Sequence, residues 1–228
     1  MKKAEYQSLA ESAGLHRYFQ TSWELYWNYG RGPTPKQHPE DLIEAYYTAR
    51  DLSGMFRHKI EDISETLRVR TSMRPQGIKS PSRILEKMKS HPVGKRRVPN
   101  DILGSKLTCK SIQSMYEVAS KLPNYIEVVH FSDRVIRPHQ SGYRDLQFLV
   151  MVDQESQHIA EVKIVHEQLD ALDQYEHRIY EITREITAEF RSKELSPVQQ
   201  RILEELARAS DSLYAWLWKD ILSREEHL

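Results

Sequence analysis

The chain has 228 residues, 39% of them hydrophobic, with 8 Gly and 10 Pro, a composition that suits one globular domain with helical additions rather than two equal domains. Its 33 Lys and Arg balance 33 Asp and Glu, so no overall field holds it on nucleic acid and any site for a polyanion must be local. One cysteine, Cys109, excludes an internal disulfide framework and a cysteine-rich zinc site, and the sequence Met-Lys-Lys-Ala-Glu-Tyr at the start carries no apolar signal region.

Nothing in the chain is apolar for long enough to cross a bilayer; the longest such run is Phe148 to Val152. A cytoplasmic protein without a membrane partner is expected, or one that works in the cytoplasm of a target cell if a signal-independent machine secretes it. In chain order, Trp23, Leu25, Tyr26 and Trp27, followed by Gly30-Arg-Gly-Pro-Thr-Pro35, predict an aromatic helix end running into a turn. From about Pro39 to Arg70 the apolar residues Leu42, Ala45, Tyr46, Ala49, Leu52, Met55, Phe56, Ile60, Ile63 and Leu67 keep helical spacing, interrupted only by Gly54. Gly77 to Lys87 reads as a turn entering a helix.

The middle of the chain changes period. Ile102 to Cys109, Ile126 to Phe131, Tyr143 to Val152 and His158 to Val165 are short and rich in β-branched and aromatic residues, which predicts four strands. Ser111 to Lys121 between the first two carries Ile112, Met115, Tyr116 and Ala119 on one helical face, and residues 153–157 form a polar hairpin loop. Helix returns after Val165 to about Phe190, and Ser196-Pro197 caps and opens a last helix to about Leu222. The pattern is α+β around one mixed sheet. Expected boundaries are a helical N-terminal extension over 1–75, a core over 76–192 and a C-terminal helix over 193–228 that packs on the same domain.

Four stretches hold reactive residue types near the ends of predicted strands. In Gly77-Ile-Lys-Ser-Pro-Ser-Arg-Ile-Leu-Glu-Lys87, the cations Lys79, Arg83 and Lys87 recur every four residues near a helix N-terminus, where dipole and backbone N–H groups favour phosphate. The same spacing also suits a plain solvated face. Asn100-Asp-Ile-Leu-Gly-Ser-Lys106 places Asp101 just before a strand. Asp133 to Gln147 is a loop with Arg134, Arg137 and Arg144, followed by Tyr143 near a strand start; guanidinium groups suit multi-oxygen anions and an exposed tyrosine offers a stacking face to a base. In Glu161-Val-Lys163, alternation puts acid and base on one face. They either pair with each other, or Glu161 joins Asp101 in a hard oxygen site for magnesium carrying a nucleoside triphosphate.

Taken in order, these stretches resemble the motif series of the RelA/SpoT synthetase domain, the family that makes (p)ppGpp alarmones, over about Ile78 to Arg184. The residues that carry the resemblance are Lys79-Ser80-Pro81 with Ile84 and Lys87, Asp101 with Gly104, Asp133 with Pro138, Gly142-Tyr143-Arg144, Glu161-Val162, and His177 with Tyr180. The resemblance implies a nucleotidyltransferase-like mixed sheet of about five strands with helical extensions at both ends. It implies an Mg2+-dependent pyrophosphokinase that moves the β,γ-pyrophosphate of ATP to the ribose 3′-hydroxyl of a purine nucleotide. In that scheme Asp101 and Glu161 are the catalytic residues and hold the magnesium, and Glu161 also takes the hydroxyl proton. Lys79, Arg83, Lys87, Arg134 and Arg137 would bind ATP, while Tyr143, Arg144, Lys163, His177 and Tyr180 would bind the acceptor.

The sequence departs from the family pattern at several places. Gly77 stands where an Arg is usual and Lys106 where another often follows, with Arg83, Arg74 or Arg97 left to replace an adenine-clamping guanidinium. Gly-Tyr-Arg-Ser-Leu-His becomes Gly-Tyr-Arg-Asp-Leu-Gln, so Asp145 and Gln147 are departures, and Lys163 replaces a Gln. The Gly-Tyr-Arg-Asp form looks more like the toxin-associated branch, for which an antitoxin or immunity partner is expected; no His-Asp dipeptide of the family's hydrolase occurs. Two alternatives stay open: a tRNA 3′ end as acceptor, for which Lys89, Lys95, Arg96 and Arg97 are the dense basic run, and a catalytically degenerate nucleotide sensor. The sequence leaves the oligomeric state open.

Overall fold

In the computed structural model, the described residues are 1–89, 97–138, 141–189 and 195–225. The chain begins with α1 (Lys3–Ser12), α2 (Phe19–Leu25) with a π-helical continuation through Gly30, and the long α3 (Leu42–Leu67). Asp41 caps α3, accepting from the amides of Ile43 and Glu44, and Arg68 ends it in the left-handed conformation (φ 55°). There follow β1 (Arg70–Ile78), α4 (Pro81–Lys89), β2 (Leu103–Cys109), α5 (Ile112–Lys121), β3 (Val128–Asp133), β4 (Leu146–Asp153), β5 (His158–His166), α6 (Glu167–Glu189) and α7 (Pro197–Glu225). Ser111 caps α5 and the Ser196 hydroxyl accepts from the Gln199 amide at the start of α7.

The strands form one mixed sheet in the order β1-β2-β5-β4-β3. Only β2 and β5 run parallel; the other three pairings are antiparallel. This is the α+β mixed sheet expected from the sequence, and its fifth strand, β1, is the one the residue pattern does not announce. Arg70-Thr-Ser-Met-Arg-Pro-Gln-Gly-Ile has no apolar alternation and contains Pro75 and Gly77, which an edge strand tolerates because one side of its backbone needs no partner. Its register with β2 slips between Met73 and Ile78. β1 crosses the expected boundary at 75/76, so the helical extension and the core share a strand.

Cross-strand register divides the sheet into two faces. Leu107, Val162, Ile164, Leu146, Phe148 and Phe131 pair side by side on one face and are each 1% exposed or less. The N-terminal helices and α5 cover that face, with Tyr18 stacked on Tyr116 at 4.9 Å between centroids. The other face carries Ser72, Gly104, Lys106, Glu161, Lys163, Gln147 and Ser132 in adjoining register positions.

Asp133 ends β3 on the apolar face, 2% exposed. Its carboxylate accepts from Tyr116 Oη (2.9 Å), from Ser22 Oγ, and from the amides of Val135 (2.9 Å) and Ile136 (2.8 Å). A buried carboxylate is tolerated only when its lone pairs are taken up in this way; the motif aspartate here ties α2, α5 and the turn after β3 together. Asp133→Ala strands those donors without water and is expected to cost about 2–4 kcal/mol of unfolding free energy, with Tyr116→Phe costing about 1 kcal/mol. Urea denaturation measures both; a loss below about 1 kcal/mol for Asp133→Ala would contradict this role.

Candidate active site

The polar face gains its first carboxylate from the segment entering β2. Asp101 is 8% exposed. Lys79, whose amide donates to the Ile102 carbonyl at 2.8 Å just after β1, bonds Asp101 Oδ2 with its ammonium. Lys87 on α4 brings Nζ to 2.9 Å from Oδ1, and Arg74 on β1 lies 4.0 Å from Oδ2. Two of the three evenly spaced cations thus converge on one acid; Arg83 lies half-buried between them on α4.

Burial by itself would raise the Asp101 carboxyl, but Lys87 and Lys79 outweigh it and hold the group well below the usual carboxylate range. For Lys79 burial wins in the opposite sense: desolvation lowers its ammonium despite Asp101. Two lysines and an arginine packed round one buried acid hold more positive than negative charge. That excess favours the arrival of a polyanion.

The second carboxylate is Glu161, also 8% exposed, at mid-strand on β5 opposite Gly104 and Leu149. Gln147 Nε2 donates to its Oε1, and Lys163 Nζ lies 3.7 Å from Oε2. The absence of a side chain at Gly104 lets Arg74 lie across β2: a Cβ there would stand 3.1 Å from Arg74 Nη1 and 3.5 Å from the Glu161 carbonyl. Arg74 also donates to the Ile102 carbonyl at 3.2 Å. It is the guanidinium beside Asp101, one of the three substitutes expected from the sequence.

The other expected residues divide. Arg134 Nε and Nη2 grip Asp145 bidentately at 2.5 and 2.7 Å, and Lys163 Nζ lies 3.9 Å from the same carboxylate. Arg137 is exposed and lies over the rings of Tyr6 and Tyr26 at 5.9 and 5.8 Å, with the N-terminal helices. Arg144 donates to the Val135 carbonyl and stacks at 4.6 Å over Trp218 of α7. Tyr143 meets Tyr214 edge-on at 6.0 Å, with Lys163 Nζ 5.5 Å from its ring centre. His177 and Tyr180 stand one turn apart on α6, and their side chains lie outside the described residues, as do those of Lys89, Lys95 and Arg96; Arg97 is exposed.

Lys106, where the family pattern often has Arg, is turned toward α6. Its ammonium donates to Asp170 at 2.5 Å and to Asp173 at 3.2 Å. Burial would lower this lysine, but the two aspartates prevail and raise it. Asp145, Gln147, Asp170, Asp173 and Tyr214 are site neighbours that sequence reasoning did not assign. Only the first two had a signal, as departures inside a motif; contacts from α6 and α7 are invisible in a linear pattern.

A nucleotide-bound magnesium takes one or two carboxylates from protein and the rest of its shell from phosphate and water. Asp101 and Glu161 are carboxylates of the kind such an ion takes, and among the described residues no cluster of three His, Cys, Asp or Glu would hold a metal alone. The arrangement is nucleotidyltransferase-like: a mixed sheet with one covered face, one charged face, and two carboxylates among lysines. Residues 76–185 match the model of the region found in RelA/SpoT proteins.

By fold it is similar to the small alarmone synthetase 2 from Bacillus subtilis, at 19% identity over 83% of this chain and 100% of that one, with a TM-score of 0.58. It is also similar to the small alarmone synthetase 1 from Bacillus subtilis bound to its product pppGpp, at 18% identity over 79% and 93% of the two chains, with a TM-score of 0.55. Comparison with curated proteins gave no match. Among the described residues no helix is long and apolar enough to cross a membrane.

Asp101→Asn leaves Lys79 and Lys87 without their counter-charge and is expected to cost about 3 kcal/mol of stability at pH 7. Because the folded carboxyl titrates below its unfolded value near pH 4, its contribution is complete above that pH and is lost as the pH falls below it. Denaturation of wild type and Asp101→Asn should therefore converge under acid; a stability gap that stays constant from pH 7 to pH 3 would contradict the pairing.

Proposed function

We propose that the protein is a magnesium-dependent pyrophosphokinase that transfers the β,γ-pyrophosphate of ATP to the ribose 3′-hydroxyl of a purine nucleotide. The observation that carries the reading is the pairing of Asp101 with Lys79 and Lys87 beside Glu161 on one charged sheet face. Such transfer is an attack on a phosphorus atom, so catalysis consists of alignment, charge neutralisation and removal of one proton.

Lys79 and Lys87 would exchange the Asp101 oxygens for phosphate oxygens when ATP arrives, with Arg83 joining them from α4. Arg74, lying across Gly104, supplies the planar cation that the sequence lacks at Gly77. Asp101 and Glu161 would hold the magnesium, which when bound neutralises phosphate charge. Glu161 also accepts the proton of the attacking hydroxyl. Tyr143 marks the acceptor side; in the present arrangement Tyr214 already contacts its edge. A guanosine acceptor is favoured by the likeness of fold to a synthetase whose structure holds pppGpp. The finer reading is a growth-inhibiting enzyme of the toxin-associated branch, held in check by an antitoxin or immunity protein; the Gly142-Tyr143-Arg144-Asp145 sequence supports it.

The test is purified protein with magnesium and γ-labelled ATP against GDP, GTP, ADP, AMP and deacylated tRNA. Label is expected on a guanosine nucleotide. Glu161→Gln should lower the rate by about 10²–10⁴-fold, and Lys79→Ala should raise KM for ATP. Label on tRNA alone would replace the nucleotide acceptor, and no transfer to any of them with nucleotide binding intact would leave the sensor reading. Chelation of magnesium should abolish transfer, with activity returning on its replacement.

A further inference from the structure

Three positions that depart from the family pattern, Asp145, Gln147 and Lys163, meet around one side chain. Gln147 donates to Glu161 Oε1, and the Lys163 ammonium stands between Glu161 Oε2 at 3.7 Å and Asp145 Oδ2 at 3.9 Å. Asp145 is wholly buried at the start of β4. Such a carboxylate costs several kcal/mol unless it is paired, and a bidentate Arg134 is sufficient pairing for stability alone. The additional approach of Lys163 is what a purely structural pair does not require.

We propose that Asp145 is a positioning residue for the transfer reaction, acting through Lys163 on Glu161. Two cations, Arg134 and Lys163, face two acids, Asp145 and Glu161, in a connected row. A lysine introduced on the site face with Glu161 as its only partner would close into a direct ion pair and occupy the oxygen that must accept the 3′-hydroxyl proton. Asp145 draws the ammonium back, so that it stays beyond hydrogen-bond distance of both acids. Gln147 fixes the other Glu161 oxygen. The charge that Lys163 brings in place of a neutral residue is thereby balanced by Asp145, and the carboxylate of Glu161 keeps one oxygen free.

The proposal rests on the reading of Glu161 as proton acceptor, and a double-mutant cycle separates the two. Asp145→Asn preserves shape and a hydrogen bond to Arg134 while removing the charge. Contacting residues couple by roughly 2- to 150-fold; Asp145→Asn is expected to lower kcat by roughly tenfold or more while KM for ATP changes little. Adding Lys163→Gln should recover most of that loss, although the melting temperature stays at that of the single variant. Independent, multiplicative losses in kcat, or a loss confined to melting temperature, would overturn the proposal. If the wild type transfers nothing, the pyrophosphokinase reading falls. The role of Asp145 in transfer then falls with it, whereas a wild type that transfers pyrophosphate and shows additive losses in the cycle overturns the Asp145 proposal alone.

Discussion

The parallel pairing of β2 with β5 sets the position of the charges on which the site depends. It puts Gly104 opposite Glu161 and Lys106 opposite Lys163. Because side chains alternate faces, one register commits Val162, Ile164 and Leu107 to the core and Glu161, Lys163 and Lys106 to the polar face. A slip of one residue would bury three charges and expose the apolar row, so the core's hydrophobic energy guards the geometry of the site. The two parallel strands also bring the approach to β2, with Asp101, alongside β5.

Charge on that face is arranged in self-paired groups. Asp101 holds Lys79 and Lys87, Glu161 and Asp145 share Lys163, Arg134 closes on Asp145, and Lys106 is held by Asp170 and Asp173. Half-buried ions left alone would each cost several kcal/mol, which pairing offsets. The groups differ in what a nucleotide would meet. Around Asp101 the cations exceed the acid, a surplus for phosphate. Around Lys106 the acids exceed the cation, so this side of the sheet does not attract a polyphosphate. The asymmetry puts the positive surplus at the α4 end of the sheet and the negative surplus beside α6.

Much of the framework was legible because alternation and helical periodicity are local. β2 to β5, α3, α5 and the last two helices lie within a few residues of their expected spans, although β4 begins at Leu146 rather than Tyr143 and α3 stops at Leu67. β1 was not legible, since an edge strand with polar residues, a proline and a bulge has no alternation to detect. In the site, Asp101, Glu161, Lys79 and Lys87 could be found as types at strand and helix ends. The arginines of the loop after β3 could not be apportioned, because a sequence shows a guanidinium and not its partner. The structure pairs Arg134 with Asp145, sets Arg137 on Tyr6 and Tyr26, and sets Arg144 on Trp218. Asp133, conspicuous in the motif, proves to be a buried brace.

The central claim is that this charged face moves a pyrophosphate unit and not a single phosphoryl group. The most direct measurement is phosphorus NMR of a complete reaction with magnesium, ATP and the accepting nucleotide. The account predicts AMP released in equal amount with a product whose new pyrophosphate resonances couple to each other and report attachment at the ribose 3′ position. ADP as the leaving product, with a single new phosphomonoester resonance or free phosphate, would contradict it.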